Sequence, residues 1–563
     1  MIARVLPTAS RAVQALVIAG LAAAALSLAP LHGEGWWQGL PSTGQAWMAG
    51  LLVAAYLGGS AVILGRSRRR AAAVADTAAT GTPNADDWLV VHASQTGQAV
   101  EFAQRTVASL AAAGQRAQLR PIASVDAATL AAARRALFVA STTGEGDAPD
   151  PAAGFIRDTM RPGVALPGLR HAVLALGDRS YDNYCAFGHE LDRWLRGAGA
   201  EPLFDLVEVD NGDPAALRHW QHHVGVAAGA TGLPDWEPAA FGRWTLAARR
   251  RLNPGSAGGA VFEILLAPAP GEAVPPWRAG DIVEIGPRQA PAAVEALLAG
   301  SGLDPEARVH WNGRTTPLGD ALAQSHLPAS GALAGVGAQA LADSLEPLPA
   351  REYSIASIPA EGHVRLLLRQ MFRPDGSPGI GSGWLCDHSA PGDPIALRVR
   401  ANPGFHGPDP DRPMLLVGNG TGIAGLRAHL AERIAAGGRR NWALFGERYA
   451  HCDLHQREDI LRWLDAGDLE RLDLAFSRGV EGAGLPATGA AADRAAVHRG
   501  YVQDALRAEA PRLRRWIEDG ASILVCGSLQ GMAPGVDAAL RAILGDGRVD
   551  DLLADGRYRR DVY

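Results

Sequence analysis

The chain has 563 residues, a formal net charge of −6 and 47% hydrophobic residues, enough for several domains that each bury a core of their own. All 53 basic residues are arginine, so Schiff-base lysine chemistry is excluded, every phosphate contact must come from arginine, backbone amides or hydroxyls, and the mild acidity gives no reason to expect nucleic acid. The four cysteines, Cys185, Cys386, Cys452 and Cys526, form no CxxC pair, which argues against a zinc ribbon, a dithiol motif or an iron–sulfur cluster, and no metal is expected.

Residues 1–75 read as a membrane anchor. Two uncharged apolar runs, 13–31 and 46–65, have the length of transmembrane helices. Arg4 and Arg11 precede the first, Arg66, Arg68, Arg69 and Arg70 follow the second, and the loop between them has no arginine. That asymmetry predicts both ends on the cytoplasmic side of an inner membrane, in contact with lipid. A cleaved leader would also begin with a basic stretch and an apolar run, but the second span would still hold the body. The only histidine of the segment is His32 in the loop, so a pair of intramembrane haem ligands is absent.

An Ala/Thr/Gly-rich linker at 71–87 leads to a region, 86–228, where apolar runs at 88–93, 136–140, 172–176 and 203–209 alternate with Ala-rich stretches such as 99–114. This is the pattern of a doubly wound α/β sheet, which binds ligands beyond the carboxyl ends of its strands. Three polar segments stand there. Ser94-Gln95-Thr96-Gly97-Gln98-Ala99 opens a helix and can wrap a phosphate at its positive end without a basic side chain. Ser141-Thr142-Thr143-Gly144 follows the next strand. Leu176-Gly177-Asp178 leads through Tyr181 to Tyr184 and Cys185, offering backbone groups and an aromatic plane. Between residues 141 and 213, Asp and Glu outnumber Arg 13 to 6, an acidic face able to steer a basic partner.

From 236 to 410, short alternating runs at 260–266, 281–285, 352–357, 363–369 and 394–399 predict a small antiparallel barrel. An Ala/Leu-rich insert at 288–348 is expected to be helical. Arg351-Glu352-Tyr353-Ser354 stands on a strand, where alternation places Arg351 and Tyr353 on one face. Gly379-Ile-Gly381-Ser382 follows about 25 residues later. A second parallel sheet is predicted for 411–563: Met414 to Val417, a glycine loop from Gly418 to Gly425 that contains Gly420 and Thr421, and strands at 442–445, 472–476 and 522–526. These strands end in Gly446-Glu-Arg448, Ser477-Arg478 and Cys526-Gly-Ser528, and the chain closes on Tyr558-Arg-Arg-Asp561-Val-Tyr563.

Taken together, these strings resemble the diflavin reductases, the family of the sulfite reductase flavoprotein and the P450 reductases. The resemblance covers about 475 residues and implies a flavodoxin-like FMN domain, an FAD-binding barrel with a connecting insert, and a ferredoxin-reductase-type NADP domain. It implies that Ser94 to Ala99 hold the FMN phosphate, that Tyr181 stacks on the ring, and that Ser141 to Gly144 with Asp210 line the ring and ribityl chain. For FAD it implies Arg351 and Ser382 at the pyrophosphate, Tyr353 and Tyr563 on the ring, Ser354 near its reactive nitrogen, and the Gly379 and Gly381 amides in support. Ser477, Arg478, Arg499, Tyr501 and Gln503 resemble a clamp for the 2′-phosphate of NADPH, and Ser354, Cys526, Asp561 and Tyr563 the hydride-transfer site. Three departures stand out: the spacer between Arg478 and Tyr501 is longer than usual, Gly425 replaces a proline, and Gly535 an aspartate. The function implied is electron flow from NADPH through FAD and FMN to a one-electron acceptor, a haemoprotein first. An iron-siderophore reductase, a sulfite reductase subunit and a redox-inactive scaffold are the alternatives.

Overall fold

The computed structural model describes residues 86–563 except 180, 231–232, 237–239, 330–332, 334 and 486–487. The apolar runs at 13–31 and 46–65 lie outside the described residues. Among the described residues no helix is long and apolar enough to cross a membrane; the expected two transmembrane helices, the contact with lipid and the inner-membrane location find no support there and are withdrawn.

The first sheet is parallel throughout. β1 (Trp88–Ala93), β2 (Ala117–Pro121), β3 (Arg135–Ser141) and β4 (Arg170–Gly177) run in the order 2-1-3-4, and β5 (Glu201–Pro202) and β6 (Val207–Asp210) both pair with β4. β1, β3 and β4 are nearly continuous apolar runs because helices cover both faces of the sheet. One face packs Phe138, Val173, Phe187 and Leu191, the other Val90, Leu137, Leu174 and Trp220. The strand order reverses between β1 and β3, and a crevice opens there at the carboxyl ends.

Next come β7 (Gly242–Arg251), β8 (Val261–Pro268), β9 (Ile282–Gly286), β10 (Arg308–Trp311), β11 (Arg314–Pro317), β12 (Arg351–Ser354), β13 (Val364–Arg369) and β14 (Pro394–Arg400). Six of them form an antiparallel sheet in the order 12-9-14-7-8-13. Its edge strands meet where the Ala356 amide donates to the Arg365 carbonyl at 2.8 Å, so the sheet curls toward a barrel. β7 escapes the sequence pattern because three consecutive arginines end it, yet Trp244 and Leu246 are buried in the barrel core. The insert is not simply helical. Short helices at Pro291–Leu298, Leu318–Ala323 and Ala338–Asp343 pack around the hairpin β10–β11. Asn312 and Gly313 both have positive φ (48° and 75°), the two-residue turn whose twist suits a hairpin.

The third sheet comprises β15 (Met414–Asn419), β16 (Asn441–Tyr449), β17 (Arg471–Gly479), β18 (Ala495–Arg499), β19 (Ser522–Gly527) and β20 (Tyr558–Val562), all parallel, in the order 18-17-16-15-19-20. The long spacer after Arg478 thus supplies a helix, Ala490–Asp493, and an edge strand. The closing residues become the opposite edge. Asp473 on β17 is fully buried, and its carboxylate is compensated by Arg471, His498 and the Trp442 indole at 2.7, 2.8 and 2.8 Å, as a charge without water requires.

Candidate functional site

In the first crevice, the helix Gln98–Ala112 begins on Gly97, and its free amides turn toward Ser94: the Gly97 and Ala99 amides donate to the Ser94 hydroxyl at 2.9 and 3.3 Å. Amides converging on one oxygen at a helix start suit a phosphate oxygen. The β3 loop is tied to the β4 loop, since the Asn183 side chain donates to the Glu145 carbonyl. Gly146 (φ 121°) leaves room for it, as a Cβ there would stand 2.6 Å from Asn183. The β4 loop is tied in turn to β6: the Arg179 amide donates to Asp210 at 3.1 Å, and the Asn211 amide to the Gly177 carbonyl at 2.9 Å. Ser141, Thr142, Thr143, Gly144, Leu176, Gly177, Asp178, Tyr181, Tyr184, Cys185 and Asp210 therefore gather on three linked loops. Tyr181 is about half exposed, as an aromatic ring kept for a flat ligand would be. Tyr184 instead points inward, its phenol pushed up to about 12 by burial, and Cys185 is a core thiol at about 11 for the same reason.

This crevice is closed off by the barrel and the C-terminus. A Cβ on Gly97 (φ 88°) would lie 2.0 Å from the Ala401 carbonyl oxygen. Gln95 donates to the Arg560 carbonyl at 2.6 Å and accepts from the Asp150 amide at 2.8 Å, while Asp150 pairs with the Arg560 guanidinium at 3.0 Å. Arg400, buried against Glu284 and Glu352, reaches Thr96 at 3.3 Å.

On the barrel, Arg351 and Tyr353 share a face as alternation requires, and both point at Gly381. A Cβ there would stand 2.4 Å from the Tyr353 hydroxyl and 2.8 Å from Arg351 Cγ. Ser382 accepts from the Met371 amide at 3.0 Å, which fixes the loop begun by Gly379. Burial pushes the Tyr353 phenol well up. Arg351 has no ion-pair partner among the described residues and so suits a pyrophosphate.

A cavity of about 1000 Å³ joins the three sheets. Glu352, Tyr353 and Ser354 of β12 line it together with Gly420 and Thr421 of the glycine loop, with Ser477, Arg478, Tyr501 and Gln503, and with Asp561, Tyr563 and Thr96. Arg499 stands at the end of β18 next to the lining residue Gly500 but does not itself line the cavity, and Arg351, Gly379, Gly381 and Ser382 lie behind Tyr353. Close backbone packing shapes the glycine loop: a Cβ on Gly422 would lie 2.1 Å, and on Gly418 2.5 Å, from the Cys526 carbonyl oxygen. Gly425 leaves only ordinary contacts toward Cys526 and Ser354, and Gly535 leaves space that Gln503 takes up, with a Cβ 3.0 Å from its amide.

Parallel pairing sets Cys526 opposite Asp561. Ser354 donates to Asp561 at 2.8 Å, and the Cys526 thiol reaches the same oxygen at 3.8 Å. Burial raises the Asp561 carboxyl above its ordinary value, and burial together with Asp561 holds Cys526 firmly as a thiol. Tyr563 is anchored through its backbone, to the Gly527 carbonyl and from the Leu529 amide, both at 3.0 Å; the residue as a whole is more than half exposed, but its phenol, pushed well up by burial, turns inward with its hydroxyl 3.4 Å from Thr421. The sequence reading missed Asn419, whose side chain accepts from the Ser528 amide at 3.0 Å. It also assigned no role to Arg448, a lining arginine without an ion pair among the described residues, though its place at the carboxyl end of β16 was a signal for one.

A parallel sheet with a phosphate-type loop, a curled antiparallel sheet and a second nucleotide-type sheet meeting at one cavity define a flavin-and-nucleotide electron-transfer protein. Comparison with known proteins agrees: residues 90–220 match the family model described as flavodoxin. Over its longer span the chain is 29% identical to the sulfite reductase [NADPH] flavoprotein alpha-component of Neisseria meningitidis serogroup C, covering 86% of this chain and 91% of that protein. It is 28% identical to the proteins of the same name from Vibrio cholerae (84% and 87% covered) and Cronobacter sakazakii (84% and 89%). These likenesses support a place among the diflavin reductases.

Proposed function

We propose that this chain is an NADPH-dependent diflavin oxidoreductase that draws hydride from NADPH at the joint cavity and passes electrons singly to a separate haemoprotein. The observation that carries this reading is the one cavity in which the nucleotide clamp, the Ser354, Asp561 and Tyr563 cluster and Thr96 of the FMN loop all take part. When bound, FAD and FMN supply the conversion of a two-electron hydride into single electrons. The chain's own residues fit them. Amides at the Gln98 helix start take a terminal phosphate, Arg351 with the Gly381 loop a pyrophosphate, and Ser477, Arg478 and Tyr501 a 2′-phosphate, whose fork-like contacts favour NADPH. Ser354 and the Cys526 thiol orient Asp561 where hydride is exchanged. Tyr563, on the cavity wall, would cover a bound FAD and would have to swing aside for nicotinamide, a motion made feasible because a stacked aromatic is worth only about 0.5 to 1.5 kcal/mol beyond its buried area.

The relatives are named as components of an NADPH sulfite reductase, which favours a sulfite-reducing haemoprotein over other acceptors, docking on the acidic FMN domain. The full chain should hold FMN and FAD near 1:1 on acid release and reduce cytochrome c with NADPH. Recovery of one flavin type only, or NADPH oxidation that never reaches a one-electron acceptor, would defeat the reading. Sulfide formation on adding a sulfite reductase haem subunit tests the acceptor separately.

A further inference from the structure

Outside the cavity, the flavodoxin-like domain carries a histidine cluster that electron transfer does not use. The helix Pro214–Ala227 contains His219, His222 and His223, and positions 219 and 223 share one helix face. Their Nε2 atoms lie 3.2 Å apart. Two imidazole nitrogens at 2.0 to 2.1 Å from one tetrahedral ion stand about 3.3 Å apart, so the chelating separation is already present. The His223 plane is held by stacking on Phe204 (5.0 Å, 21°), and His219 meets it edge-on. His219 opens into a groove of about 590 Å³ whose wall includes His189, Asp205, Glu208 and Asp213, a negative surface that concentrates cations.

We infer that His219 and His223 form a binding site for a nitrogen-preferring divalent transition ion of the Cu²⁺, Ni²⁺ or Zn²⁺ class, with water completing its shell. Imidazole pairs select such ions over Mg²⁺ or Ca²⁺. A second group of potential ligands, Asp473, His498 and Glu509, does not compete, because Arg471 already fills the position between its carboxylates at 2.7 and 3.1 Å. Arg179, whose amide holds Asp210 beside the FMN loops, also lines the groove. An ion at the pair would therefore add positive charge to an otherwise acidic face near the point where electrons leave.

The test uses the untagged full chain, stripped with a chelator and titrated with Zn²⁺ by calorimetry and with Cu²⁺ by paramagnetic resonance. One saturable ion with nitrogen hyperfine structure is expected. His219→Gln and His223→Gln should each weaken it at least about tenfold, while His498→Gln leaves it unchanged. Absence of saturable binding, unaltered affinity in both helix variants, or loss of the site in His498→Gln would overturn the proposal.

Discussion

On the proposed reading, the two parallel sheets face the same problem, holding a phosphate, and solve it in opposite ways. At the FMN loop no arginine is offered by the loop itself; amides and the Ser94 hydroxyl converge at a helix start. The cavity instead presents Arg448 and Arg478, which carry no ion pair among the described residues. A terminal phosphate bound once and kept can be enclosed by short, stiff backbone groups. A nucleotide that must come and go needs a charge that reaches out and lets go, and a planar arginine fork provides this.

The sharpest way to break the enclosed side is Gly97→Ala. Its Cβ would meet the Ala401 carbonyl at 2.0 Å in a left-handed backbone, so loop and barrel cannot both keep their places. Near-complete loss of FMN with FAD retained is expected, together with a fall in cytochrome c reduction of at least about a hundredfold, more than 2.7 kcal/mol. Flavin analysis of the purified variant decides it.

On the open side Arg478→Ala should raise the KM for NADPH by roughly 10- to 100-fold, the loss of one charge-assisted contact of about 1.5 to 3 kcal/mol. NADH kinetics should barely move. Equal effects on both coenzymes would place the phosphate clamp elsewhere.

Between the two sites lies Asp561. Its carboxyl is raised by burial, so the folded state disfavours its ionised form. This cost is absent below the unfolded value near 4, sets in as pH rises through the folded value, and is complete above it. Asp561→Asn should therefore match or exceed the parent in Tm at pH 7 and lose that advantage in acid, while FAD reduction slows by about tenfold, ~1.4 kcal/mol. A variant melting lower than the parent at pH 7 would contradict this.

The smallest effect is expected from Tyr563→Ala. With the ring gone and FAD still held by Arg351, Tyr353 and Ser382, NADH should reduce the flavin severalfold faster and NADP⁺ should leave more slowly. Unchanged stopped-flow traces with normal FAD content would remove Tyr563 as a gate.

The sequence by itself determined the units and most chemical groups. Buried parallel strands read as unbroken apolar runs at β1, β3, β4, β15 and β19, and phosphate-type loops follow strands in a pattern that depends on local backbone alone. β7, β18 and β20 were hidden because arginines, small residues or a charged tail break their periodicity, and their pairing comes from neighbours distant in sequence. The β10–β11 hairpin carried its signal in Asn312-Gly313 but was masked by an Ala/Leu-rich surround. Only the tertiary structure decided that Gln95 and Asp150 would meet Arg560, that Ser354 would find Asp561 207 residues away, and that Thr96 would share a wall with Arg478. Such contacts join separate cores, and no local spacing encodes which surfaces of two domains will close on each other.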